Sequence, residues 1–297
     1  MPRQHPELAA VVRRGSFDLG DAAHFLSDCR NGRLIVRSGG MYSVRSPLNP
    51  ARGAAAVPAL YKFPKENYRP LLPEGAGDRT VVALVRSHRG GWVHVSESQP
   101  GAWGKLRASH LIELPEEWRM SAFGLLAYGK LYLFRRFGYI LGIDLASRTF
   151  FHIELPHGVE YKSSVDFELS RAEDSGFYLI DLKDFKIRVW LHSRGCSVGN
   201  WELVESIGLN QALGHLANPA WLFRDPAARL VAVGDNADFV FVQIEGEIFY
   251  LHIWSKAVEK VYELKGSELD FDIHLHPFTM VWPPTFPALN DGCGLVE

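Results

Sequence analysis

The sequence predicts an all-β fold assembled from one repeated four-strand unit. Its clearest copy runs from Ser121 to Leu155. There Ser121–Tyr128, Leu131–Phe137, Tyr139–Leu145 and Thr149–Leu155 are short apolar runs, broken by Gly129-Lys130, Gly138 and Ala146-Ser147-Arg148. Runs of that length between turn residues read as strands. The quartet recurs over Ser164–Glu205 and Arg229–Leu264. The fourth strands then begin near residues 103, 149, 201 and 258, a spacing of roughly fifty residues, as in propeller blades. Together these observations predict a β-propeller of four-stranded blades, six in number within a range of five to seven.

Taken in order, the first unit offers Gly32–Arg37, Met41–Ser46 and the alanine-rich Ala54–Leu60. The second offers Val81–Arg86, Gly91–Ser98 and Trp103–Ala108. In the Ser164–Glu205 unit, Val165, Phe167 and Leu169 alternate with polar neighbours, the period of a half-buried strand. Gly176–Leu182, Phe185–His192 and Trp201–Glu205 follow, with turns at Arg171–Ser175 and Lys183-Asp184. The last unit reads as Arg229–Gly234, Asp238–Ile244, Glu247–Trp254 and Val258–Leu264, with turns at Asp235-Asn236, Glu245-Gly246 and Ser255-Lys256. Gly101–Leu106 and Gly199–Val204 share a Gly-x-Trp opening, whose Trp is expected to cover a blade's outer edge. Phe271–His276 and Phe278–Trp282 remain for ring closure, before Pro283, Pro284 and Pro287 end regular structure. Helix is expected only at Pro6–Arg14 and Ser206–Leu216. The resulting division is an N-terminal segment 1–23, a propeller 24–290 and a tail 291–297.

Apolar residues make up 47% of the chain, enough for a core. A net charge of −2 argues against a nucleic-acid partner, which needs a basic excess. No apolar run reaches membrane-spanning length and Met1–Ala10 has no signal-peptide core, so neither membrane nor secretion is expected. Cys29, Cys196 and Cys293 are scattered and odd in number, which suits neither a disulfide nor a zinc framework. With no glycosylation sequon present, the expected location is cytoplasmic or nuclear.

Four constellations invite a chemical reading. Gly195-Cys196-Ser197-Val198-Gly199 matches G-x-S-x-G but lies between strands, without the strand–turn–helix context of a nucleophile elbow. His274 and His276 share a strand face, with His252 a blade away, yet they supply half a zinc site at most. Asp270 and Asp272 read as a solvated, turn-forming pair rather than glycosidase acids. Arg13-Arg14 and Arg135-Arg136 read as ordinary surface pairs. The aromatic residues Phe150, Phe151, Phe177, Tyr178, Phe239, Phe241, Phe249 and Tyr250 fall inside strand patterns, so core packing is their default. No Walker loop, GxGxxG, HExxH or EF-hand spacing occurs. Accordingly no catalytic, cofactor-binding or metal residue is assigned.

Several motifs carry a family resemblance. Ser27-Asp28-Cys29-Arg30-Asn31-Gly32-Arg33-Leu34 looks like the first propeller strand of plant F-box-associated β-propeller proteins, and Ser46-Pro47-Leu48-Asn49-Pro50 matches the turn that follows it. Ser96–Trp103, Tyr139–Leu145 and Trp201-Glu202-Leu203-Val204 resemble three further stretches, and the whole is closest to the grass-type group. The resemblance spans about Asp21–Pro287. It implies a propeller that selects proteins for a cullin–RING ubiquitin ligase, docked to the ligase adaptor through an N-terminal F-box. Pro6–Arg14 is too short for that three-helix module, so adaptor docking is expected only with an F-box upstream.

The expected function is therefore protein recognition without catalysis, the partner meeting one rim of the ring. Rim loops available for it are Glu74–Asp78, His88–Gly91, Arg135–Gly138, Arg194–Asn200 and Asp235–Asp238. The alternatives are a propeller-fold hydrolase or carbohydrate-active enzyme with acids gathered at the central channel, against which Asp144, Asp181 and Asp235 read as turn acids, and an F-box-less scaffold or decaying paralogue.

Overall fold

A computed structural model describes residues 25–30, 32–48, 54–57, 67–72, 80–87, 90–99, 102–114, 122–135, 138–159, 167–173, 176–193, 201–216, 218, 221, 226–265 and 275–277. Among these are five four-stranded antiparallel sheets, each a simple meander. Blade I holds β1 (Phe25–Arg30), β2 (Arg33–Ser38), β3 (Met41–Arg45) and β4 (Ala54–Ala56). Blade II holds β5 (Asn67–Leu71), β6 (Thr80–Ser87), β7 (Gly90–Gln99) and β8 (Ala102–Glu113). Blade III holds β9 (Ala122–Ala127), β10 (Lys130–Arg135), β11 (Tyr139–Asp144) and β12 (Thr149–Glu154). Blade IV holds β13 (Phe167–Arg171), β14 (Phe177–Lys183), β15 (Lys186–His192) and β16 (Trp201–Gly208). Blade V holds β17 (Ala228–Val233), β18 (Phe239–Ile244), β19 (Glu247–His252) and β20 (Val258–Glu263). The fold is an all-β propeller.

Each pair of successive blades shares its own apolar core. Ile35 and Val44 of blade I meet Leu72 and Val81 of blade II. Val82, Leu84 and Val93 meet Leu131, Leu133 and Leu141 of blade III. Tyr132, Phe134 and Ile140 meet Phe167, Phe177 and Leu179 of blade IV. Ile180, Ile187 and Val189 meet Val240, Val242 and Phe249 of blade V. This stacking explains the apolar runs. A middle strand has a neighbour on both faces, so β11 and β14 are buried almost throughout. A fourth strand has one edge in solvent, so β12 exposes four of its six residues. Phe150 on that strand is 37% exposed, which corrects its assignment to the core.

Several boundaries differ from expectation. β1 and β5 had no place in the strand pattern. β1 mixes Asp28 and Arg30 with Leu26, and β5 contains Pro70. An edge strand tolerates proline because it pairs on one side only. The stretch resembling a first strand is a hairpin, with Ser27–Arg30 in β1 and Arg33-Leu34 in β2. β8 runs well past Ala108 to Glu113, and the third alanine-rich strand shortens to Ala54–Ala56. Ser206–Leu216 is not one helix. Ser206, Ile207 and Gly208 continue the ladder opposite Arg188, Ile187 and Lys186. Only α1 (Leu209–Leu213) and a 3-10 turn at Gly214–Leu216 remain. Arg171 is the last residue of β13 rather than the first of a turn. Asp184 and Phe185 form the β14–β15 turn, both left-handed with φ of 52° and 56°, as a two-residue hairpin turn matched to strand twist requires.

The closing strands expected at Phe271–His276 and Phe278–Trp282, and the helix at Pro6–Arg14, lie outside the described residues except for Leu275-His276-Pro277, which are not in a strand. A sixth blade is not among the described residues. No described helix is long and apolar enough to cross a membrane.

Candidate interaction face

Consecutive first strands touch at the centre of the ring: β1 meets β5, β9 meets β13, and β13 meets β17. They run in one sense: bonds tie mid-β1 to the fourth residue of β5, and the C-terminal end of β9 to that of β13 and of β13 to that of β17. Ser27 Oγ donates to the Pro70 carbonyl at 3.3 Å, and Ser170 Oγ to the Gly234 carbonyl at 2.6 Å. A meander with its first strand in this sense sorts every loop. The β1–β2 and β3–β4 types of turn leave on one side, here the exit face. The β2–β3 type and the blade-to-blade connectors leave on the other, the connector face. Three of the five loops offered by the sequence, 74–78, 194–200 and Asp235–Asp238, thus join strand ends on the exit face. The other two, 88–91 and 135–138, join ends on the connector face.

The exit face is tied from blade to blade. The Asp28 carboxylate accepts the N–H groups of Cys29 at 2.9 Å and Leu72 at 2.6 Å. Arg30 reaches past blade II and donates from Nη1 to the Leu126 carbonyl of blade III. Tyr128 donates its hydroxyl to the Ala172 carbonyl, with the Glu173 carbonyl at 3.2 Å. Ser170 Oγ, besides donating to Gly234, accepts the Ala237 N–H at 3.0 Å. Arg171 pairs with Asp235 at 3.3 Å, and Asn236 Nδ2 donates to Glu173 Oε1 at 3.1 Å. Asn236 and Ala237 sit at φ of 56° and 48°, a conformation that L-residues resist. The fully buried Ala237 is held there by Ser170. Bonds from side chain to main chain fix the path of the turns themselves, so this face is preorganised.

Outward from the axis, blade IV carries one transverse row. Arg171 pairs with Phe177, Phe177 with His192, and His192 with Trp201. His192 stacks on Phe177 with ring centroids 5.1 Å apart and meets the Trp201 ring edge-on at 4.9 Å. Trp201 closes the row by donating Nε1–H to the Glu154 carbonyl of blade III at 2.7 Å, the edge-covering role expected of it. Next to this row stands Trp254, 43% exposed in the β19–β20 turn. Its ring meets Tyr178 of blade IV edge-on at 6.4 Å. Ser255 N–H donates to His252 Nδ1 at 3.2 Å and Lys256 pairs with Glu205 at 3.2 Å, which anchors the turn on both sides.

Electrostatics follow these contacts. N–H groups of Ser147 and Ala146 hold the Asp144 carboxyl below the usual range, and the Ser206 N–H and Lys256 do the same for Glu205. Burial lowers the pKa of His192, and burial with the charge of His110 lowers that of His94. For both imidazoles the unfolded chain binds the proton more readily. Their stabilisation is therefore complete above the ordinary value of 6.5 and is lost as pH falls through the lower folded values. Urea unfolding between pH 7.5 and 5.5 should show stability falling on acidification. The slope from each imidazole is at most about 1.4 kcal/mol per pH unit. The double variant His94→Asn/His192→Asn should flatten it, and an unchanged slope would refute the assignment.

The candidate residues of the sequence fare differently. Asp181 is not a turn acid but a buried residue inside β14, bound by Arg188 and Trp190. Asp144 caps its own turn, Asp235 is paired with Arg171, and His252 is bound to Ser255. Gly195–Gly199, Asp270, Asp272, His274, Arg13, Arg14 and Arg136 lie outside the described residues, as does the side chain of Arg135. Among the described residues no group of three or more His, Cys, Asp or Glu is placed to hold a metal. Sequence reasoning missed Asp28, Tyr128, Ser170 and Trp254. Only Asp28 carried a signal, as part of the resembling Ser27–Leu34 stretch.

Comparison with known proteins agrees with this class of fold, a β-propeller. The family model described as the F-box protein AT5G49610-like β-propeller matches residues 25–286. The chain belongs to that family. No curated protein matches it in sequence. Among solved structures it is similar to YCF48 from Cyanidioschyzon merolae, at 8% identity and a TM-score of 0.45 over 84% of this chain and 74% of that one. Kluyveromyces lactis Hsv2 shows 11% identity and a TM-score of 0.43 over 81% and 64%. Prolyl oligopeptidase B from Galerina marginata shows 10% identity and a TM-score of 0.43, covering 79% of this chain and 32% of that one. Similarities this loose carry no argument about function.

Proposed function

We propose that this chain is a protein-recognition domain that selects substrates for a cullin–RING ubiquitin ligase, acting by binding rather than catalysis. The observation that supports this most is the latched exit face, where rigid turns carry an exposed Trp254 beside Tyr178. Aromatic side chains on a preorganised surface are the usual anchors of protein interfaces. Family membership supports the ligase role, the adaptor contact being made only where an F-box lies upstream.

The test is affinity purification from native extract with the intact chain and two variants. Trp254→Ala should lose the recovered partner, with affinity falling about thirtyfold for a hot-spot loss of about 2 kcal/mol. Lys186→Ala, on the connector face, should retain it. When fused behind an F-box and assembled with a cullin–RING ligase, the chain should direct ubiquitin to the same partner. Equal loss from both variants, or no partner at all, contradicts the proposal.

A further inference from the structure

The exit-face junction of blades IV and V brings an aromatic pair close to a free carboxylate. On blade IV, Ser170, Tyr178, Leu191 and Glu202 stand opposite one another across successive ladders. Residues paired in this way share one face of the sheet. Ser170 Oγ reaches the Gly234 carbonyl of blade V, so the whole row looks toward blade V. Tyr178 packs on the core between the two blades, and Glu202, at the outer end of the row, is exposed. From blade V, the β19–β20 turn places the Trp254 ring 6.4 Å from that of Tyr178. Lys256 of the same turn pairs with Glu205 of β16 at 3.2 Å. The turn is thus held alongside the strand that begins with Trp201 and Glu202.

Charge at this junction is unbalanced. Lys256 is neutralised by Glu205, and Arg171 by Asp235. Glu202 has no ion pair or hydrogen-bond partner among the described residues. Glu173 and Asp238, on turns of the same face, are exposed acids as well. An exposed indole face attracts a cation through its ring quadrupole, and a nearby carboxylate adds a direct charge attraction. We propose that the partner is held through a basic segment, one of whose arginine or lysine side chains lies on Trp254 with its charge met by Glu202. This rests on the recognition reading above and names the chemistry of what is recognised. Arginine suits both groups at once, since its planar guanidinium stacks on a ring while pairing with a carboxylate. An acidic or phosphorylated segment would instead meet Glu173, Glu202 and Asp238, and like charges repel.

The test is an NMR titration of the intact chain, its tryptophan indoles isotopically labelled, with the peptide acetyl-Gly-Arg-Gly-Arg-Gly-amide. Low ionic strength keeps the attraction unscreened. The Trp254 indole N–H, identified by its absence from Trp254→Phe, should shift and saturate. Citrulline in place of arginine keeps the shape and removes the charge, and should weaken binding about fivefold. Glu202→Gln should weaken it by a similar factor, and Glu202→Lys should abolish the shift. Asp238→Asn, which removes an exposed acid of the neighbouring β17–β18 turn, should leave it unchanged. No shift with the arginine peptide overturns the inference. So does an equal shift with the citrulline peptide, or equal weakening by Asp238→Asn, which would mean attraction to the face as a whole. In affinity purification, a partner lost by Trp254→Ala yet held at full affinity by Glu202→Gln overturns the basic segment while leaving the recognition reading intact. A partner weakened by both variants supports the two together.

Discussion

Replacing Arg188 with alanine is expected to destabilise the protein by about 3–5 kcal/mol, the range for breaking a buried ion pair by removing one partner. The Asp181 side chain is 2% exposed and that of Arg188 21%. Nε and Nη2 of Arg188 lie 2.9 and 2.5 Å from one carboxylate oxygen, and the Trp190 indole N–H lies 2.7 Å from the other. Register makes this geometry, because Arg188 stands directly opposite Asp181 across the β14–β15 ladder. Without the guanidinium, one indole is left to stabilise a carboxylate that water reaches poorly. The double variant Asp181→Leu/Arg188→Met should recover most of the loss, since apolar groups of similar volume leave no charge to desolvate. Urea unfolding of the two variants checks the pair. An Arg188→Ala loss below about 1 kcal/mol, the range of surface pairs, would mean that the site is hydrated after all.

That pair also marks the limit of what the sequence made legible. Fourth strands were readable because each opens after a turn at a steady spacing, and β12, β16 and β20 do begin at Thr149, Trp201 and Val258. Middle strands were readable because both faces are covered, which leaves an apolar run in the letters. Asp181 was not readable. It stands three residues before the Asp184-Phe185 turn, and its burial rests on the pairing with Arg188 across the ladder, which the letters alone do not show. The latches were hidden for a related reason. Asp28 and Ser170 look like the polar half of an alternating strand, and their partners at Leu72 and Gly234 are main-chain groups, which carry no sequence signal. The sorting of loops onto two faces likewise needed strand order, which the sequence does not carry.

Gly176→Ala should cost about 3 kcal/mol, at the upper end for overpacking, and should weaken partner binding along with stability. A Cβ at Gly176 would stand 2.5 Å from the His192 carbonyl oxygen and 3.4 Å from the Ser193 Cα. These are main-chain atoms at the exit end of β15, so relief requires the ends of β14 and β15 to part. Two features of the exit face depend on that junction. Phe177, the next residue, begins the ring row through His192 to Trp201. The Gly176 carbonyl accepts the Ala172 N–H at 3.2 Å, and the Ala172 carbonyl in turn receives the Tyr128 hydroxyl of blade III. Gly142→Ala provides the contrast. Its Cβ would fall 2.1 Å from the Phe151 ring, a nominally worse clash. That ring belongs to a half-buried side chain on an outer strand and can turn toward solvent, so the loss should be nearer 1 kcal/mol. The order of the two costs is the decisive reading in parallel unfolding curves. If Gly142→Ala proves the more damaging, side-chain crowding in blade III, rather than the main-chain junction in blade IV, limits the packing of the ring. If Gly176→Ala unfolds the protein early yet leaves the binding of the folded fraction intact, the blade IV junction does not position the exit face.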